Sequence, residues 1–186
     1  MKHITPSLLL IVFGLVACQS KVEKKAATPT VVEGTKVIKL KTTLNAKSNS
    51  DVQGQVTFVQ EGKWVQMDAH IMGLAPGTHA IHLHEKADCS SDDGKSTGGH
   101  WNPTFEAHGK WGASSGFHRG DIGNFEADST GHAHVVFKSD LWCLDCEDET
   151  KNIIGKAIIV HQGVDDFVSQ PSGAAGARVS CAGIIQ

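Results

Sequence analysis

Apolar and polar residues alternate along two neighbouring segments of the chain, residues 52–59 and 64–72. Because successive side chains of a β-strand point to opposite faces, this alternation predicts two half-buried strands. The four residues between them, Gln60-Glu61-Gly62-Lys63, predict a hairpin. In the second strand one face is mostly polar and the other is apolar. The first face carries Trp64, Gln66, Asp68 and His70, and the second carries Val65, Met67, Ala69 and Ile71.

Shorter β-type runs occur along the rest of the chain, beginning near Thr35 with a run that contains Val37, Leu40 and Leu44. Four more strands are predicted over residues 78–85, 131–138, 156–161 and 178–182. Residues 85–121 are rich in Gly, Ser and Asp and show neither a strand nor a helix period. A loop this long in a compact domain needs something to order it. The pattern is typical of an antiparallel β sandwich or barrel with large functional loops.

The N-terminus is typical of a targeting segment, with Lys2 followed by a short apolar run over residues 8–16. That run is too short to span a bilayer. The residues before Cys18 resemble a bacterial lipobox, which predicts a signal peptide over 1–17 and a lipidated Cys18. The alternative is an ordinary signal peptide with an incidental cysteine. Residues 18–34 are predicted to form a solvated tether, unless they fold onto the domain expected at 35–186.

Length and composition limit the remaining choices. The 186 residues fit one domain with a sizeable core, and the formal net charge of −3 does not favour a nucleic-acid-binding protein. Glycine is abundant at 20 residues and histidine at 11, which favours a loop-rich β protein with metal sites. The four cysteines after Cys18 indicate disulfides in an exported chain, with three pairings open. These cysteines are Cys89, Cys143, Cys146 and Cys181.

The candidate chemistry begins with His82 and His84, which lie two apart in a predicted strand and therefore project from the same face. The spacing alone is weak evidence, since residues 132–134 repeat it. The structureless loop adds three histidines and a carboxylate, and such ligands suit a four-coordinate zinc ion. They are His100, His108, His118 and Asp121. His161 ends another predicted strand and could join His82 and His84. Gly120 is expected to permit the bend between the ligands at 118 and 121.

Several segments, in the right order, resemble signature segments of the copper/zinc superoxide dismutases. They are residues 79–85 (HAIHLHE), 98–103 (GGHWNP), 108–109 (HG), 118–124 (HRGDIGN), 160–166 (VHQGVDD) and 173–183 (GAAGARVSCAG). The resemblance covers roughly residues 35–186. It implies an all-β, Greek-key, immunoglobulin-like sandwich or barrel with long metal-binding and electrostatic loops. It also implies an oxidoreductase that converts superoxide into dioxygen and hydrogen peroxide while a histidine-bound copper is alternately reduced and oxidised.

The resemblance assigns roles residue by residue. Copper would be held by His82, His84, His100 and His161, and zinc by His100, His108, His118 and Asp121. His100 would bridge the two ions and supply a proton. Asp165 would hydrogen-bond one histidine of each metal, Arg178 would attract and orient the superoxide anion, and Cys89 would pair with Cys181. His79 is expected to be a hydrogen-bonded structural residue, and His70, His132 and His134 are expected on strand surfaces.

Two features depart from the family pattern. Residues 165–177 contain no Lys or Arg, so cations that steer superoxide must come from elsewhere. The candidates are Lys86, Lys95, Lys110 and Arg119. The second feature is the pair Cys143 and Cys146, for which a local disulfide bracing a loop competes with a redox or metal-acquisition site.

The implied setting is the bacterial cell envelope, where the enzyme would be lipid-anchored, periplasmic or on the cell surface, and would protect the envelope from superoxide. The substrate is a small anion, and the lipid at Cys18 would be the only membrane contact. The sequence does not specify the oligomeric state, and a dimer is compatible with it. Two rivals stay open: a lipoprotein that sequesters metal without turnover, and an envelope module in which zinc only supports the fold. The second rival predicts a missing copper ligand, and none is missing.

Overall fold

A computed structural model describes residues 36–186 together with Met1. The predicted signal peptide and tether, with Cys18, therefore lie outside the described residues, apart from Met1. The described part contains eight strands and one short 3-10 turn at Lys95–Thr97. The strands are β1 (Val37–Ala46), β2 (Gln53–Glu61), β3 (Trp64–Met72), β4 (Gly77–His84), β5 (Gly123–Ala127), β6 (Ala133–Ser139), β7 (Ala157–His161) and β8 (Arg178–Gly183). In this part of the chain no helix is long and apolar enough to cross a membrane.

The eight strands follow the spatial order β5-β4-β7-β8-β1-β2-β3-β6, and every neighbouring pair is antiparallel. Strands β1, β2, β3 and β6 form one half, and strands β4, β5, β7 and β8 form the other. The halves join where the end of β1 pairs with β8, at Asn45 opposite Cys181. Neighbours that are not consecutive in the chain require crossovers. The predicted all-β, Greek-key, immunoglobulin-like sandwich or barrel is confirmed.

The β2–β3 hairpin is tighter than the sequence predicted. Glu61 lies opposite Trp64, so the loop consists of Gly62 and Lys63 alone. Gly62 has a φ of 57°, a conformation that glycine adopts without the steric cost of a Cβ. The predicted faces of β3 are confirmed, because Val65 and its three apolar companions are buried while Trp64 and its polar companions are exposed or half-buried.

The sequence analysis missed strand β5, which pairs with β4 from Gly77 opposite Ala127 to Ile81 opposite Gly123. It is only five residues long and begins at a glycine, so its alternation is too short to recognise. The predicted start of β6 was also early by two residues and its predicted end by one. Gly131 has a φ of 77° and belongs to a turn. In this turn the His132 carbonyl accepts a hydrogen bond from the Asp128 N–H.

The core lies between the two halves and provides a rigid base for the loops. Phe58, Met67, Leu83, Trp142 and Ile158 are among its fully or almost fully buried side chains. All five residues of β7 are buried, and so are the last six of β4. These two strands carry three of the predicted copper ligands, which are therefore anchored on fully buried strand segments.

Candidate metal centre

The rings of four buried histidines from β4, β7 and the long loop converge. His82 and His84 project from the same face of β4, which pairs with β7 in the register His82–Ile159 and His84–Ala157. His161 ends β7, and a single bridge between His84 and His100 brings the long loop against β4. One ring nitrogen from each of the four lies within 4.8 Å of the others. The strand register and one loop contact are thus enough to assemble the group.

Three rings of this group are each oriented by a contact made on the outer side of the ring. His82 Nε2–H donates to Asp165 Oδ2 at 2.9 Å, and His84 Nδ1–H donates to the Gly98 carbonyl at 3.0 Å. His161 Nδ1–H lies 3.4 Å from the Gly176 carbonyl. Because a neutral imidazole carries one proton, the opposite nitrogen of each ring keeps its lone pair. These inner nitrogens include His84 Nε2 and His161 Nε2, which are 3.4 Å apart.

A second group of ligands surrounds the carboxylate of Asp121. His100 Nδ1 lies 2.9 Å from Asp121 Oδ1, His108 Nδ1 lies 3.0 Å from Oδ2, and His118 Nδ1 lies 3.2 Å from Oδ1. The outer nitrogens are again occupied, since His108 Nε2–H donates to Asp165 Oδ1 at 2.9 Å and His118 Nε2–H to the Glu106 carbonyl at 3.1 Å. The seven predicted ligands therefore lie together in two groups that share His100.

The donor atoms fit one copper and one zinc ion. In the first group the buried nitrogens His82 Nδ1 and His100 Nε2 have no hydrogen-bond partner, and in the second group His108 Nδ1 and His118 Nδ1 face the Asp121 carboxylate. Buried polar atoms are normally paired, so the two unpaired nitrogens of the first group require an explanation, and a bound cation supplies it. Tetrahedral zinc with bonds of about 2.0–2.1 Å separates its donors by about 3.3 Å, close to the separations around Asp121. An all-imidazole set suits copper.

The electrostatics of the site keep the inner nitrogens of the all-imidazole group available. Burial lowers the pKa of His82, His84 and His161, and it lowers the pKa of His100 to about 4. These rings are therefore neutral at pH 7, and their lone pairs are free to bind a cation.

The protonation of Asp121 and His108 is set by their hydrogen bonds, which outweigh the effect of burial. Burial opposes ionisation of Asp121, but hydrogen bonds from three histidines outweigh it and hold its pKa well below the ordinary value. Burial likewise opposes a charge on His108, yet the bonds to Asp121 and Asp165 raise its pKa to about 9. In the metal-free protein at pH 7 the carboxylate is therefore ionised and His108 is protonated.

Comparisons with known proteins agree with this geometry. Residues 52–184 match the family model described as copper/zinc superoxide dismutase (SODC). The chain belongs to the copper/zinc superoxide dismutase family.

Individual relatives agree with this family. The chain is 36% identical over 134 residues to the extracellular superoxide dismutase [Cu-Zn] of Haemonchus contortus, and the match covers 69% of this chain and 70% of that protein. It is 31% identical over 143 residues to superoxide dismutase [Cu-Zn] 2 of Aquifex aeolicus, covering 75% and 82%. A double mutant of a SOD-like protein from Bacillus subtilis superposes with a TM-score of 0.69 at 30% identity, over 78% of this chain and 97% of that chain. This protein is a superoxide dismutase, with copper and zinc as its cofactors.

The cavity of the dismutase is lined by the open side of the metal centre and by Arg178. His84, His100 and His161 line it from the metal side. Arg178 Nη1 donates to the Gly94 carbonyl at 3.0 Å and to Thr97 Oγ1 at 2.9 Å, and the buried Thr97 hydroxyl donates to the same carbonyl at 2.8 Å. Two fixed acceptors thus hold the guanidinium beside the cavity.

Among the four steering candidates, Lys95 is the one that lines this cavity. Its Nζ lies 3.0 Å from Asp93 Oδ2, which also lies on the rim, so the local charge of the pair is close to zero. Within the described part of the dismutase, Lys86, Lys110 and Arg119 do not line the cavity. Arg178 and Lys95 are thus the Lys and Arg side chains that line this cavity in the described residues, and Lys95 is paired with a carboxylate.

The four cysteines of the domain form two disulfides. Cys89 is bonded to Cys181 with a Cα–Cα distance of 5.9 Å, which ties the long loop to β8. Cys143 is bonded to Cys146, as the interpretation of a local loop brace expects. The neighbouring Trp142 is buried, and its Nε1–H donates to the Arg119 carbonyl at 2.8 Å. The braced loop therefore supports the segment that carries His118.

The sequence analysis missed the groups that orient the rings. The carbonyls of Gly98, Glu106 and Gly176 leave no side-chain signal, because every residue has a carbonyl. Asn124 was part of a quoted motif without a role. Its side chain donates to the Asp165 carbonyl and accepts the Asp165 N–H, both at 2.8 Å, so it fixes the backbone of the bridging carboxylate.

The reason given for Gly120 was wrong. Its φ does not lie in the left-handed region, so the bend does not require glycine. Glycine is needed because a Cβ would collide with the Leu83 carbonyl, at the point where the backbone of 120 bonds to Leu83 and Trp101. His79 agrees with its predicted structural role, since its ring contacts the carbonyls of Ala75 and His161.

Proposed function

We propose that the enzyme dismutes superoxide at copper held by His82, His84, His100 and His161, beside zinc held by His100, His108, His118 and Asp121. The observation that carries this assignment is that the two nitrogens of a histidine ring have different surroundings. The outer nitrogens of His82, His84, His108 and His118 are hydrogen-bonded to the protein, and the inner nitrogens converge in two groups. When bound, copper supplies reversible one-electron chemistry, whereas zinc has none and acts by holding its ligands.

The protein contributes the anion site and a proton. Arg178, which stays charged, attracts superoxide into the cavity and orients it. His100 can accept a proton at Nε2 and release it to the product, while its Nδ1 is held in the second group. The overall reaction balances as two superoxide anions and two protons giving one dioxygen and one hydrogen peroxide. Asp165 accepts from Nε2 of His82 and of His108, so that Nδ1 of each ring is the nitrogen offered to a metal.

A metal-sequestering protein without turnover is the main rival. The position of Arg178 favours catalysis, because a fixed cation beside the cavity repels metal ions and attracts anions. Arg178 is also held by two acceptors, Gly94 and Thr97, neither of which belongs to the ligand groups. A protein that only stores cations has no use for such an arrangement.

The cleanest test compares His161→Gln with His118→Gln, because each removes a ligand from one group only. In chelator competition and superoxide-decay assays, the first variant should lose copper and activity but keep zinc. The second should lose zinc preferentially. Retention of copper by the first variant would overturn the ligand assignment. Stoichiometric copper in the unchanged enzyme without superoxide consumption would favour the sequestering rival.

We also propose that residues 1–17 are removed as a lipoprotein signal peptide and that Cys18 carries lipid. On this proposal residues 18–34 tether a domain spanning 35–186, and the enzyme protects the cell envelope. The lipobox-like residues before Cys18 support this, as does the name of the Haemonchus contortus relative, which describes it as extracellular. Cys18→Ser should move the protein from the membrane fraction to the soluble fraction, and continued membrane association would refute the anchor.

A further inference from the structure

Three side chains on the outer face of the β3–β6 pair form a cluster outside the metal centre. Strand pairing places His70 directly opposite His134, and Asp68 occupies the next outward position along β3. The cluster lies on the half formed by β1, β2, β3 and β6, whereas His82, His84 and His161 belong to the other half. It therefore has no part in the proposed copper and zinc ligation.

The donor atoms of these side chains converge. His70 Nε2 lies 3.1 Å from Asp68 Oδ1, and His134 Nε2 lies 3.2 Å from the same oxygen. The two imidazole rings are stacked, with centroids 4.3 Å apart and planes within 7° of parallel. All three donor atoms lie within 4.8 Å of one another. Opposite residues of an antiparallel pair are held at a fixed spacing, so the backbone preorganises this arrangement.

The surroundings favour a cation in this position. Two parallel imidazoles would repel each other if both were protonated, while a metal ion would use both lone pairs and the carboxylate charge. The other outward neighbours given by the register are Gln55, opposite His70, and Thr57 and Val136, opposite Asp68. None of these neighbours is a lysine or arginine that would repel the ion.

We propose that Asp68, His70 and His134 form an additional surface site for one divalent transition-metal ion. Two imidazoles and a carboxylate are typical ligands for borderline ions such as Cu²⁺, Ni²⁺ and Zn²⁺. The side chains of His70 and His134 are 67% and 53% exposed, so water completes the coordination sphere. An open site imposes little geometry, and the affinity therefore follows the intrinsic order of the ions, with Cu²⁺ strongest.

The test uses Ni²⁺ as the probe, added to enzyme already loaded with copper and zinc, so that a resident ion is not mistaken for the new one. Equilibrium dialysis with metal analysis should find one Ni²⁺ per chain. His134→Gln and His70→Gln should each weaken nickel binding by about tenfold or more, because losing a ligand costs at least as much as losing an outer-shell partner. Copper content, zinc content and superoxide decay should not change.

His132→Gln is the matched control, since it removes an exposed histidine two residues from His134 whose Nδ1 faces the Thr130 hydroxyl. It should leave nickel binding within about twofold of the unchanged enzyme. Absence of nickel uptake would overturn the proposal, and an equal loss in the control would overturn the three-residue assignment. Because activity is read separately, failure here is distinguishable from failure of the proposed dismutase centre.

Discussion

Replacing Asp165 with asparagine is expected to weaken the binding of both metals without changing the shape of the side chain. The carboxylate is buried and accepts three hydrogen bonds: from His82 Nε2 at 2.9 Å, from His108 Nε2 at 2.9 Å and from the Phe167 N–H at 2.7 Å. Its hydrogen bonds join His82, which belongs only to the first ligand group, to His108, which belongs only to the second. A single substitution therefore perturbs both groups at once.

The expected magnitude follows from the positions of these three donors. Oδ1 accepts from Phe167 and His108, so the amide oxygen of the introduced asparagine is expected at that position. The amide NH₂ then faces His82 Nε2–H, and two donors cannot share a hydrogen bond. His82 must move its proton to Nδ1, which is the atom needed for copper. His108 keeps an acceptor, but a neutral one, which forms a weaker bond than a carboxylate.

Loss of such an outer-shell partner typically lowers metal affinity by about 10–100-fold, equivalent to about 1.4–2.8 kcal/mol. We expect that range for copper and a loss toward its lower end for zinc. The assay is chelator competition on metal-free protein, one metal at a time, with circular dichroism to verify folding. Asp166→Asn is the matched control, because Asp166 is adjacent and exposed, and its carboxylate accepts hydrogen bonds from Val168 and Ser169 and not from a histidine. Unchanged affinity for both metals in the Asp165 variant, or an equal loss in the control, would refute the reasoning.

Three further predictions concern other parts of the enzyme. Arg178→Gln should lower kcat/KM for superoxide by about tenfold or more and flatten its dependence on ionic strength, with metal content unchanged; unaltered kinetics would exclude a substrate role. Zinc uptake at pH 7 should release the proton that His108 holds below its pKa of about 9, so the apparent zinc affinity should fall about tenfold for each pH unit below 9. Measurement in weakly buffered solution tests this, and uptake without proton release would contradict it. Cys89→Ser removes a crosslink to Cys181 across a sequence separation of 92, which should cost about 4–5 kcal/mol in the chain-entropy model. Denaturant unfolding of the metal-free protein measures that cost, and a loss below about 1 kcal/mol would show that the crosslink hardly constrains the unfolded chain.

Much of this protein could be predicted from the sequence because the relevant signals are local. The two-residue period of a strand placed His82 and His84 on one face and separated the polar from the apolar face of β3. The long stretch without a period, rich in histidine and glycine, indicated a loop that needs metal or disulfide support. Residue types in order along the chain carried the resemblance to the family, and with it the fold and the activity.

Tertiary structure decided what depends on contacts between distant segments. Which nitrogen of each histidine faces inward is set by the carbonyls of Gly98, Glu106 and Gly176 and by Asp165, and a backbone carbonyl has no sequence signature. The requirement for glycine at 120 comes from the approach of Leu83, which lies 37 positions earlier in the chain.

The cluster of Asp68, His70 and His134 shows the same division between local and distant information. The alternation of β3 predicts that Asp68 and His70 share an outer face, and this follows from the strand period alone. Only the pairing of β3 with β6 brings His134 opposite His70, because register is a property of two strands and is not encoded in either one by itself. The sequence thus determined which side chains are available for metal binding, and the fold determined which of them meet.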